Sequence, residues 1–93
     1  MADEHFYDAL YYQVGLGMPY ERNEVWMKIF QNLADRIIAE INPATVLDAG
    51  CAFGFLVEAL RKRGVEAYGV DLSSYAISQV QEEIKPYCWA GSI

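Results

Sequence analysis

Two cysteines, three prolines and a single histidine are scattered through the 93 residues, and no long apolar run occurs. Each scarcity removes a class. Cys51 and Cys88 are too few for a disulfide framework, and with His5 as the lone histidine no metal-ligand spacing exists. No stretch approaches the roughly 18 apolar residues of a membrane span. Basic residues are scarce too: 7 Lys and Arg stand against 13 Asp and Glu, for a formal charge of −6. Binding a nucleic-acid backbone takes clustered cations, so that partner class is not expected for this segment. The one basic cluster, Arg61-Lys62-Arg63, falls where a helix should end and where cations offset the helix dipole. The start, "MADEHFYDAL", lacks the basic and apolar regions of a signal peptide. A cytoplasmic protein with reduced thiols is the expectation.

What is abundant is apolar: 54% of residues are hydrophobic and 22% charged, which marks a globular chain rather than a disordered one. The length allows one domain with a modest core. Residues 6–20, "FYDALYYQVGLGMPY", hold clustered tyrosines and then Gly15, Gly17 and Pro19, which suggests a helical turn followed by a loop. Asn23 is a candidate cap for an amphipathic helix over residues 24–41, stopped by Asn42-Pro43. Its expected inner face is Val25, Ile29, Leu33, Ile37 and Ile41, widened by Trp26, Phe30 and Ile38. Strands are expected at 45–47, 65–70 and 87–90. Helices are expected at 55–62, with Leu56, Val57 and Leu60 inward, and from Ser73 or Ser74 to about Ile84. Strands separated by such helices imply a parallel sheet covered on both faces, with right-handed crossovers.

The turn after the first strand carries the chemistry. In an open α/β sheet a ligand binds beyond the carboxyl ends of the strands. There stand Asp48, Gly50, Cys51, Ala52 and Gly54. Gly50 admits a close backbone approach, and Gly54 opens the helix. The dinucleotide frame G-x-G-x-x-G would place Phe55 at its last glycine, so that frame fails. The frame present is G-x-A-x-G, and Asp71 ends the next strand. A carboxylate there accepts hydrogen bonds from two ribose hydroxyls and repels a 2′-phosphate. Asp48 is either a turn aspartate or an anionic wall suited to an ammonium or sulfonium. Cys51 fits a small residue in a tight turn better than a nucleophile, since no base accompanies it. Cys88 reads as a buried strand residue, and Trp26 and Trp89 as core or interface aromatics.

"VLDAGCAFG" followed by "AYGVDLS" resembles motif I and the second-strand acid of class I S-adenosylmethionine-dependent methyltransferases. The resemblance covers about half the chain. It implies a Rossmann-like α/β fold, of which three strands are expected here. Residues 1–44 would form a helical lead-in and cofactor lid, and residues 45–93 a partial S-adenosylmethionine-binding domain. By resemblance, Asp48, Gly50, Ala52 and Gly54 would line the methionine part of the cofactor, with Cys51 among the cofactor-binding residues of the same turn. Asp71 would hold the ribose and Leu72 would pack on adenine. Ser92 stands where the family often has an acid facing the adenine amino group. The lead-in "YYQVGLGMPYERNEVW" resembles that of a bacterial methyltransferase subgroup, which makes Tyr12, Tyr20 and Arg22 lid candidates. The family's sheet has seven strands, so a truncated product or fragment is expected, with an open sheet edge suited to dimerisation. The methyl acceptor and any catalytic base are not readable. Two other functions fit less well: a non-catalytic module that keeps the fold for assembly or regulation, and a dinucleotide-dependent oxidoreductase.

Overall fold

The computed structural model describes residues 21–92. The expected turn and loop at 6–20, with Tyr12 and Tyr20, lie outside the described residues. Helix α1 (Glu24–Glu40) starts where Asn23 Oδ1 accepts the Trp26 N–H at 3.0 Å. It ends as Asn42 turns to φ 51°. Strand β1 (Thr45–Ala49) follows, then α2 (Phe55–Arg61), β2 (Glu66–Asp71), α3 (Ser74–Ser78), a 3₁₀ turn (Lys85–Tyr87) and β3 (Cys88–Ala90). The three strands form one parallel sheet in the order β1-β2-β3, with Asp48 opposite Gly69 and Gly69 opposite Cys88.

The core lies between α2 and one face of this sheet. Val46, Ala67 and Cys88 supply the sheet side, and Leu56, Val57 and Leu60 the helix side as expected, joined by Val80 and Ile84. Each fully buried aliphatic side chain is worth about 1.5–3 kcal/mol. A second cluster packs Phe53, Phe55 and Ala76 against Trp26, Met27, Phe30 and Tyr75. Phe30 meets Phe55 edge-on, with ring centroids 5.9 Å apart.

Three expectations need correction. α1 packs on α2, and its inner stripe is Trp26, Phe30, Ala34, Ile37 and Ile38. Val25, Ile29, Leu33 and Ile41 are exposed. The helix is apolar over much more than one face, and the aromatic cluster with Phe55 selects the stripe. Second, α3 stops at Ser78, because the Gln79 and Val80 N–H groups turn back to Ala76 and Ile77 in i−3 bonds. The separate turn that follows still buries Val80 and Ile84. Third, the other sheet face, which carries Leu47 and Trp89, is half-exposed rather than covered. Trp89, expected as a core or interface aromatic, lies on that face outside the core. Among the described residues, no helix is long and apolar enough to cross a membrane.

Candidate functional site

Gly50 and Cys51 close the first turn by donating their N–H groups to the Val70 carbonyl, at 2.7 and 3.0 Å. This ties the end of β1 to the end of β2. Gly50 adopts φ 85°, and a Cβ built on it meets no atom within 4 Å, so the backbone there is open to a ligand. Ala52 sits at φ 51°, a conformation costly for a residue with a side chain. Its N–H donates to Asp71 Oδ2 at 2.8 Å, and the Ser73 N–H donates to Asp71 Oδ1 at 2.9 Å. The Asp71 carboxylate therefore latches the strained turn to the start of α3. A carboxylate has about four acceptor positions; each oxygen keeps one beyond these bonds. Ser73 in turn caps α3, its Oγ accepting the Ala76 N–H at 3.0 Å.

A cleft of about 330 Å³ opens at these strand ends, lined by Gly50, Val70, Asp71, Leu72, Gly91 and Ser92. That is at the low end of small-molecule sites, which run about 300–1,000 Å³. Gly91 is fixed to the Asp71 carbonyl by its N–H at 2.9 Å. A larger groove of about 680 Å³ runs along α1 past Glu24, Val25, Lys28 and Ile29. Its described lining comes from one helix, whereas the strand-end cleft draws on three separate segments of the chain.

The candidate residues divide accordingly. Gly50, Asp71, Leu72 and Ser92 line the cleft. Ala52 reaches it through Asp71. Asp48 stands behind it, half-buried, with its carboxyl raised above the usual range by burial and then by the charge of Asp71. Gly54 caps α2 under Val80. Cys51 is buried below the turn, its thiol pushed up by the neighbouring Cys88 thiol and by burial. Arg22 is engaged elsewhere: its guanidinium forks onto Glu58, with two bonds of 2.7 Å. Glu58, only 2% exposed, also accepts from Lys62 at 3.2 Å. The basic cluster is consumed internally, as Arg61 bonds the Ala67 carbonyl and Arg63 bonds Asp35.

Three participants were not read from the sequence. Val70 and Gly91 line the cleft through backbone placement. Gly69 matters because a Cβ there would stand 2.7 Å from both Cβ and Sγ of Cys51. The turn can settle on the sheet only over a glycine, and a glycine inside a strand pattern was the available signal.

Comparison with known proteins bears on this cleft. Residues 47–88 match the family model described as a methyltransferase domain. The chain is also 41% identical over 46 residues to a ubiquinone biosynthesis O-methyltransferase of Nitrosomonas europaea. That similarity covers 50% of this chain and 20% of the relative, so the chain spans about a fifth of the relative's length.

Proposed function

Because residues 47–88 belong to the methyltransferase-domain family of class I S-adenosylmethionine-dependent enzymes, we propose that the strand-end cleft binds S-adenosylmethionine. In this proposal the chain forms the cofactor-binding part of an enzyme that methylates an unidentified acceptor. The observation that carries it is Asp71: a carboxylate braced by two backbone N–H groups at the lip of a cleft floored by an open Gly50. Its remaining acceptor positions suit the two hydroxyls of a ribose. Leu72 offers an exposed apolar side chain for the flat base, and Ser92 a hydroxyl at its edge. Asp48 and Asp71 together make the site negative, and a cationic ligand group would relieve the cost of keeping Asp48 ionised there. When bound, the cofactor would supply an electrophilic methyl group on its sulfonium.

Residues 1–44 serve in this proposal as the lead-in, with Tyr12 and Tyr20 as lid candidates. Arg22, held by Glu58, fits an anchor of that lead-in to α2 better than a ligand of the cofactor carboxylate. A cytoplasmic setting suits the two free thiols. The outer edge of β1, unpaired among the described residues, is the candidate surface for self-association, which sedimentation at rising concentration would reveal.

Calorimetric titration with S-adenosylhomocysteine tests the cofactor assignment. Saturable binding is expected, weakened about tenfold or more in Asp71→Ala, the loss of roughly 1.4 kcal/mol for charged hydrogen bonds. NAD should not compete. Binding of NAD alone, or no binding by a chain whose circular dichroism shows it folded, would overturn the assignment.

A further inference from the structure

Two thiols share the underside of the turn at residues 50–54. Cys51 opens a tight bend in which its carbonyl accepts the Gly54 N–H at 2.9 Å. Its side chain lies flat on Gly69, within 2.7 Å of where a Cβ would stand. Gly69 is the register partner of Cys88 on β3. Cys88 Sγ reaches up to the other end of the same bend, 3.5 Å from the Cβ position of Gly54. Cys51, in the turn beyond β1, and Cys88, on β3, pack in one buried cluster about Gly69 of the intervening β2. Cys51 is 4% exposed and Cys88 6%. A side chain at position 69 would displace Cys51 from this place.

We propose that Cys51 and Cys88 form a reversible intramolecular disulfide, an oxidative modification site that pins the first turn onto β3. The oxidant is a hydroperoxide. The Cys88 sulfur attacks the peroxide oxygen, the O–O bond breaks and one water leaves, giving a sulfenic acid. The Cys51 sulfur then displaces that oxygen; the S–S bond forms, the S–O bond breaks, and the Cys51 proton leaves with the oxygen in a second water. Two electrons from the thiol pair have reduced one hydrogen peroxide to two waters. A dithiol reductant reverses the reaction. Cys88 reacts first because the neighbouring Cys51 thiol and the charge of Arg61 favour its thiolate. Burial and the nearby carboxylates Asp48 and Asp71 keep Cys51 protonated. Both sulfurs lie under the turn, so oxidation waits on its opening and is slow.

A disulfide brings the sulfurs to about 2.05 Å and so draws the turn toward β3. Gly50 lines the ligand cleft, so the oxidised chain should bind nucleoside ligands less well. This consequence rests on the cofactor assignment above; the disulfide does not.

The 93-residue chain is exposed to hydrogen peroxide, denatured, and its thiols counted with a maleimide alongside intact mass. Expected are loss of both thiols, a mass lower by two hydrogens, no covalent dimer, and full reversal by dithiothreitol. Cys88→Ser and Cys51→Ala each remove the cross-link. Two free thiols after prolonged exposure, over-oxidised sulfur without a cross-link, or only intermolecular disulfides would overturn the proposal. S-adenosylhomocysteine is then titrated into both forms, and affinity about tenfold lower in the oxidised form is expected. Equal affinity overturns the regulatory consequence alone. No binding to either form overturns the cofactor assignment while the disulfide, scored by mass, stands.

Discussion

Gly69 decides whether the first turn can sit where it does. Gly69→Ala would put a Cβ 2.7 Å from Cys51 Cβ and 3.0 Å from Val57 Cγ2. Neither neighbour has room, since Val57 is fully buried and Cys51 is held by its N–H on Val70. The expected cost is about 1–3 kcal/mol, the usual range for overpacking a core. A urea melt of Gly69→Ala measures it; a loss below about 0.5 kcal/mol would show that the turn moves freely. Asp71 was legible because its spacing from the glycines is a motif. Gly69 was not, because its role depends on a side chain eighteen positions earlier folding back over it. Glu58 was missed for a similar reason. A glutamate in a helix is ordinarily solvated, and its partner Arg22 is 36 residues away.

At the scale of elements, the sequence located the three strands and the starts of the three α-helices found among the described residues, because capping residues and glycine stops act locally. Asn23, Ser73 and Gly64 each stand where expected. What local pattern could not choose was the face of α1. Apolar residues cover most of its circumference, and the selection comes from aromatic packing with Phe53 and Phe55, which is non-local. The assignment has a sharp consequence. Ala34 is 0% exposed beneath α1, whereas Ile29 is 47% exposed on its outer side. Ala34→Leu should destabilise by about 1–3 kcal/mol, while Ile29→Lys should change stability by no more than about 0.5 kcal/mol. Chemical denaturation of both variants checks the face, and the reverse order of effects would restore the stripe through Ile29. The length of α3 was misjudged because Ala76, Val80 and Ile84 have helical spacing. Two short turns bury the same three side chains.

For the whole molecule, two carboxyls set opposite limits on stability. Glu58 is pushed up by burial, but hydrogen bonds from Arg22 and Lys62 and their charges outweigh this and leave it lowered. Its contribution is present above the unfolded glutamate value of about 4.3 and is lost as pH falls through the lower folded value. Asp48 works the other way. Its folded value lies above the unfolded aspartate value of about 3.9, so the stability tied to its neutral form is complete below that value and is lost as pH rises through the folded one. The stability tied to Asp48 should therefore rise as pH falls through its raised folded value toward about 3.9, while that tied to Glu58 is lost as pH falls below about 4.3 and Glu58 protonates. Asp48→Asn removes the first limb. It should raise stability at pH 7 by about 1 kcal/mol, the usual gain on relieving strain at a binding site, or about 4–8 °C in Tm for a chain this size. That gain should shrink toward zero at pH 4. Urea unfolding of wild type and Asp48→Asn at pH 4, 5 and 7 separates the limbs, and a gain independent of pH would mean the carboxylate is not the cause. Under the proposed cofactor assignment, the same substitution should weaken S-adenosylmethionine more than an uncharged adenosine, because only the former brings a positive charge toward Asp48 and Asp71. A residue that costs stability when ionised and strengthens a cationic ligand is what a built site predicts, and an incidental buried aspartate would show only the first effect.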